Sequence, residues 1–404
     1  MSTATTHIET EMRSAERSRS KLVPALRFKE FEGVCSERVF NELVKVIDCK
    51  HRTPPYLEVG VPLVSPGTIK WGEIDLVSPT KRVSEAEYES LMDHCSPTIG
   101  DLVFSRNQSI GVASYLKKEE KFVLGQDTVL IQSKEIDSGY NYYRLQTYSV
   151  QCLIDRLSGG STFARINLSD LRKLKVTVAK NQREQQKIAS FLSAVDEKIQ
   201  RLTKKKALLG QYKKGVMQQL FSGQLRFKNE NGKPYPDWED MVLGDCLKYV
   251  QPTKYLVSST EYDDSYETPV LTAGKTFILG YTDEKENICI DYPLIIFDDF
   301  TTASQYVDFP FKAKSSAMKL LIAKEGVDIK FMYESMQNVK FEVGGHGRHW
   351  ISIFSPLVMS VPSIEEQQKI ATYLSTIDTK IESVNNKITQ TQSFKKGLLQ
   401  QMFV

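Results

Sequence analysis

Apolar residues in the C-terminal stretch recur with a spacing that reads as helix. Ile370, Leu374, Ile377, Ile381, Val384 and Ile388 step alternately by four and by three, the seam of a coiled coil. Upstream, Ile188, Leu192, Val195, Ile199 and Leu202 step in the same way. Both seams run on through aromatic and apolar positions (Tyr212, Val216, Leu220; Phe394, Leu398, Met402). The pattern predicts two helices of about 40 residues, each roughly 60 Å long. Lys206 stands where the other seam has Ile388, and one polar seam position is enough to favour a single pairing register. Elsewhere the period shortens. Brief runs of Val, Ile, Phe and Tyr, broken by Gly, Pro and Asp, predict modules made mostly of strands with some helix. "SEAEYESLMDH" (84–94) predicts one such helix, N-capped by Ser84 with Glu87 three residues on.

The two long helices are copies of one another. "REQQKIASFLSAVDEKI" (183–199) and "EEQQKIATYLSTIDTKI" (365–381) lie 182 positions apart, and 182–221 aligned with 364–403 holds 18 identities in 40 positions. Identity extends beyond the seam to Glu184/Glu366, Gln185/Gln367, Lys187/Lys369 and Lys214/Lys396. These polar positions are expected to face outward, as a surface read twice by something external. Fainter echoes join the segments that precede each helix. "LRFK" stands at 26–29 and 225–228, "PLVSPGT" (62–68) matches "PVLTAGK" (269–275), and "LVFSRNQS" (102–109) matches "LIIFDDFT" (294–301). The order is therefore a polar tail (1–21), a module (22–180), a helix (181–221), a second module (222–362) and a second helix (363–404). The expected fold is α+β: two mixed α/β modules separated by two long helices that pair as an antiparallel coiled coil, a pseudo-twofold internal repeat.

Composition narrows the class. A chain of 404 residues exceeds one ordinary core, and 41% hydrophobic with 25% charged residues is a globular balance. No run approaches the ~18 apolar residues of a membrane span, and "MSTATTHIETEMRSAERSRS" lacks the apolar core of a signal peptide. A cytoplasmic protein with no membrane partner is expected. Cys35, Cys49, Cys95, Cys152, Cys246 and Cys289 form no CxxC pair, against both a zinc knuckle and a disulfide framework. A net charge of +3 does not by itself announce a nucleic-acid binder.

Catalytic signals are weak. "TPPY" (53–56) resembles the Asn/Asp-Pro-Pro-Tyr loop of amino-methyltransferases, but Thr53 stands where the amide or carboxylate would accept a hydrogen bond from the target amine. "AGKT" (273–276) resembles the end of a phosphate-binding loop whose first glycine falls on Pro269. His346 and His349 lie three apart in "GGHGRHW" without an evident third ligand. No catalytic residue, no metal site and no bound cofactor are expected. Loops mixing basic, amide and hydroxyl groups suit base edges and phosphates better. In the first module these are Lys50, His51 and Arg52; Thr68 and Lys70; Ser105, Arg106, Asn107 and Gln108; and Arg165. In the second they are Thr272 and Lys275; Asp299, Thr301 and Thr302; Lys312; and His346, Arg348 and His349.

Two divergent modules, each followed by a long helix carrying "EQQKIA" and ending "KKG..QQ.F", resemble the specificity subunit of type I restriction-modification systems over roughly residues 22–404. The resemblance implies that the modules are target recognition domains for double-stranded DNA. It implies helices that dock two modification subunits, with two restriction subunits joining them. S-adenosylmethionine and adenine methylation would then belong to the modification subunits, and ATP and magnesium to the restriction subunits.

Overall fold

The repeated segments form two helices, α3 over Gln182–Phe221 and α5 over Ile364–Gln401, neither interrupted by proline. The computed structural model describes residues 22–78, 81–159, 164–274, 276–339 and 349–404. Within these the chain divides into two compact units. One runs to Leu202 and includes Lys387–Val404; the other is Thr203–Asn386. Each unit thus takes one module and part of both helices, so the compact bodies cut across the segments read from the sequence.

The first module's strands are β1 (Ser36–Val39), β2 (Val44–Asp48), β3 (Val61–Val64), β4 (Gly72–Glu73), β5 (Arg82–Val83), β6 (Leu102–Ser105), β7 (Ala113–Tyr115), β8 (Val123–Leu124), β9 (Thr128–Ser133) and β10 (Lys175–Val178). They make sheets ordered β2-β9-β6-β7-β4, β5-β3-β8 and β1-β10. The second module's strands are β11 (Glu239–Val242), β12 (Leu247–Val250), β13 (Thr268–Leu271), β14 (Ile278–Thr282), β15 (Leu294–Asp298), β16 (Ser304–Val307), β17 (Lys312–Ala313), β18 (Met318–Ala323) and β19 (Val358–Val361). Their sheets run β12-β18-β15-β16, β14-β13-β17 and β11-β19. The plan is the same one. Parallel β3–β8 answers to parallel β13–β17, and the remaining shared pairs are antiparallel. Leu102 pairs with Ile131 and Ile295 with Leu321, the fourth residue of the middle strand in each case. Leu102 therefore corresponds to Ile295, one place away from the sequence match. Helix α1 (Glu85–Met92) begins as expected, Ser84 Oγ accepting from Glu87 N at 3.2 Å.

The seams do more than pair helices. In the first unit Ile188, Leu192 and Val195 share one core with Leu398 of α5, with Met402 and Phe403 just past its end, and with Phe104, Ile131 and Tyr140 of the module. In the second, Ile370, Leu374 and Ile377 share a core with Val216, Met217 and Leu220 of α3 and with Phe297, Leu321 and Phe331. Val384 is buried, whereas Ile199, Leu202, Ile381 and Ile388 are half-buried. Early α3 meets late α5, and late α3 meets early α5, so the helices run antiparallel. Ion pairs mark the register: Lys395–Asp196 at 2.7 Å and Lys213–Asp378 at 2.8 Å. Each pair is the other shifted by 182 positions with the helices exchanged. Lys206 Nζ of α3 donates to Asn385 Oδ1 of α5 at 2.6 Å.

Several repeated polar residues face inward, against the expectation from their spacing. Glu184 and Glu366 are 1% and 0% exposed. Glu184 accepts from Arg27 and Glu366 from Arg226, both at 2.7 Å, so the "LRFK" echo is the other half of a clasp. These carboxylates push both guanidinium pKa values above their ordinary range. Gln185 and Gln367 are buried too. Their Oε1 atoms accept from Asp137 N and Asp328 N at 2.8 Å, where those aspartates N-cap α2 (Ser138–Leu145) and α4 (Ile329–Met336). Their amide groups donate back to Ala179 O and Pro362 O. The exposed remainder of the repeat includes Gln186/Gln368, Lys198/Lys380, Lys205/Lys387, Lys214/Lys396, Gln218/Gln400 and Gln219/Gln401.

Candidate nucleic-acid interface

Strands end where their ladders end, and in the first module β2, β3, β6 and the β8–β9 turn release their loops around one groove of about 450 Å³. Arg52, Thr53, Tyr56, Ser65, Lys81, Asn107, Gln108 and Gln126 line it. Gln108 (φ 56°) and Asp127 (φ 63°) adopt the left-handed conformation at two of these turns. Gly67 lets Gln108 lie close, since a Cβ there would stand 2.7 Å from Gln108 Oε1. Asn107 Nδ2 donates to Asp127 Oδ2 at 3.3 Å, and Arg165 pairs with Asp127 at 2.7 Å. Gln126 Nε2 donates to Thr53 Oγ1 at 3.0 Å.

Most of the basic groups here are held by surface acids. Lys50 pairs with Asp93 at 2.7 Å and draws that carboxyl below its usual pKa, and Arg52 pairs with Glu87. Exposed pairs of this kind are worth about 0–1 kcal/mol, so a phosphate can displace the carboxylate. Lys81 is exposed, its ammonium 4.8 Å above the Tyr56 ring. Lys70 is exposed next to β4, and Thr68 is committed to Ser65 O at 2.8 Å.

Burial changes the role of other residues read as surface contacts. Arg106 is 4% exposed; its Nη1 donates to Asp48 Oδ1 at 3.0 Å and its Nε to Ile166 O at 3.1 Å. Ser105 is fully buried and donates to Asn107 O. In the second module Asp299 (3%), Lys312 (3%) and His349 (2%) are likewise buried. Lys312 bonds Glu284 and Glu286 O. Burial pushes the Glu284 carboxyl up, but the Lys312 bond and the Ser258 and Ser259 amides bring it below its ordinary pKa. These side chains serve the framework, because the partners they bond lie within their own module. Lys275, His346 and Arg348 lie outside the described residues.

The second module offers the same loops with different chemistry. Lys314 N donates to Leu271 O as Gly125 N does to Val64 O, which sets Thr272 beside Lys314. Asp299 N reaches Ala317 O as Arg106 N reaches Asp127 O. Phe300, 45% exposed, and exposed Thr301 therefore stand where Asn107 and Gln108 stand in the first module, followed by half-buried Thr302 (φ 60°). Tyr56, Lys81, Gln126, Phe300 and Lys314 were not among the expected contacts. A turn signal for Gln126 was present in Gly-Gln-Asp between two apolar runs.

Asp48, Cys49 and His51 hold ligand atoms within 4.8 Å of one another. The Asp48 carboxylate already accepts from Arg106 and meets His51 Nε2 at 3.0 Å, an ion-paired arrangement in which the guanidinium opposes a cation. Every cysteine is a free thiol. Among the described residues no helix is long and apolar enough to cross a membrane.

Comparisons agree with this architecture. The family model described as "Type I restriction modification DNA specificity domain" matches residues 68–210 and 235–392. The chain is 47% identical over 137 residues to the type I restriction enzyme EcoR124I/EcoR124II specificity subunit of Escherichia coli, covering 32% of this chain and 34% of that one. It is 27% identical over 195 residues to the type I restriction enzyme MjaVIII specificity subunit of Methanocaldococcus jannaschii, covering 45% and 46%. The crystal structure of a type I restriction-modification S subunit from M. genitalium superposes with a TM-score of 0.65 at 17% identity, over 95% of this chain and 99% of that one, which speaks for the fold. With its two matched domains, each on one strand plan and each joined to a copy of one helix, the chain belongs to the type I restriction-modification DNA specificity family.

Proposed function

We propose that this chain reads an asymmetric, bipartite stretch of double-stranded DNA, one module to each half-site, as the specificity subunit of a complex with two modification and two restriction subunits. The observation that carries this reading is a shared framework with unlike loops. Arg52, Asn107, Gln108 and Gln126 edge one face; Thr272, Phe300, Thr301 and Lys314 edge the corresponding loops of the other. One scaffold with two sets of donors and acceptors suits two different half-sites. The exposed repeats Gln186/Gln368, Lys214/Lys396 and Gln218/Gln400 supply two equivalent surfaces, which suit two copies of one partner.

In this division of labour the chain binds no cofactor. S-adenosylmethionine sits on the modification subunits, which methylate adenine, and ATP and magnesium serve the restriction subunits, all in the cytoplasm. Genome-wide mapping of methylated adenines, in cells carrying the modification subunit with and without this chain, tests the reading. A two-part asymmetric motif that appears only with the chain is expected. A symmetric or one-part motif, or methylation by the purified chain alone, overturns it.

A further inference from the structure

At the same sheet end of each module, one buried charged residue joins the loops. In the first module Arg106 follows β6. Its guanidinium reaches Asp48 at the end of β2 and the carbonyl of Ile166, and its backbone bonds Asp127 O and Ile166 N. In the second, Asp299 follows β15. Its Oδ1 accepts from Trp350 N at 2.8 Å, its carbonyl accepts from His349 N at 3.0 Å and its N–H reaches Ala317 O. Asp299 Oδ2 lies 3.6 Å from the buried ammonium of Lys319, which donates to Gln251 Oε1 just past β12. Strand register makes the two positions equivalent, and their charges are opposite.

Neither side chain is exposed enough to touch DNA, yet each reaches segments that continue into different candidate reading loops. A buried ion pair seldom adds stability over well-packed apolar groups, so its effect is sought in geometry. Arginine can only donate and aspartate only accept. Arg106 and Asp299 therefore meet a carbonyl, Ile166 O, in one module and an N–H, Trp350 N, in the other. We propose that Arg106 and Asp299 are the positioning residues of the two reading faces, fixing loop geometry on which base discrimination at each half-site depends. This rests on the reading that these loops contact DNA.

The test uses the full chain assembled with its modification subunit. Binding is measured to the mapped target, to duplexes with one base changed in either half-site, and to random duplex. Arg106→Met and the double variant Asp48→Leu/Arg106→Met are expected to lower discrimination at one half-site by about tenfold, the scale of one good base contact. Discrimination at the other half-site and affinity for random duplex should hold. Asp299→Asn is expected to act on the opposite half-site alone. A folded double variant that discriminates like the parent overturns the proposal. Loss of random-duplex affinity in step with target affinity also overturns it, because that is the signature of a merely structural role. If Arg106→Met misfolds, Arg106→Lys decides, since lysine keeps the charge but loses the planar fork whose Nε and Nη1 serve the two acceptors separately; unchanged discrimination there is fatal. Arg52→Ala with Gln108→Ala separates the two levels. If that pair leaves all DNA binding unchanged, the interface reading itself fails, whereas weakened binding beside normal discrimination in the Arg106 variants sinks only the positioning role.

Discussion

Lys312 and Lys314 stand two residues apart and carry the same charge, but one is 3% exposed and paired inside the module while the other donates to Tyr262 OH at a loop. Charge shows that a side chain needs a partner and leaves open whether that partner is protein or nucleic acid. The repeated glutamates make the same point. Glu184 is 1% exposed and Arg27 side-chain exposure is 15%, so removing the carboxylate strands a guanidinium that can still rehydrate in part. Glu184→Ala and Glu366→Ala are each expected to lower stability by about 1–3 kcal/mol, the cost of leaving such a group without its partner. Urea unfolding of the full chain measures it. A shift of the midpoint too small to resolve in both variants would show that the clasps contribute nothing.

At the scale of elements, each long helix is amphipathic in two senses: its seam meets the other helix, and in its N-terminal half also its own module. Position along the helix therefore grades the effect of one substitution. Leu192, fully buried among module and α5 side chains, is expected to lose about 3–5 kcal/mol as Leu192→Asp, an unpaired charge in a closed core. Ile381 is half-buried, and Ile381→Asp is expected to cost about 1–2 kcal/mol because its carboxylate can turn toward water. Thermal unfolding of the two variants side by side checks the ranking. Equal losses would contradict the division of the seam into a closed and an open part.

Over the whole molecule, a net charge of +3 conceals where the cations are. Lys50, Arg52, Lys81, Lys254 and Lys314 lie in or beside the loops at the shared sheet ends, and each phosphate neutralised adds about −0.9 to the slope of log K against log salt. Five such contacts give a slope of about −4.5 for the assembled complex on random duplex, after the slope of the modification subunit alone is subtracted. Titration at several salt concentrations measures it. A difference near zero would remove these loops from the DNA face.

What is local or periodic is legible along the chain. A 4-3 apolar step is a geometric property of a helix, so both long helices, their repeat and the Ser84 cap were legible, as was the strand-rich character of the modules. Family membership was legible for the same reason, because the motif lies within one continuous segment. Which side chains face inward follows from packing between segments far apart in the chain. Arg106, Lys312, Glu184 and Gln185 each bond a residue 28 to 157 positions away, and no local pattern encodes such distances. The groove is a property of four strand ends brought level by sheet register, so Gln126 and Lys81 joined Arg52 and Gln108 only once the ladders were in place.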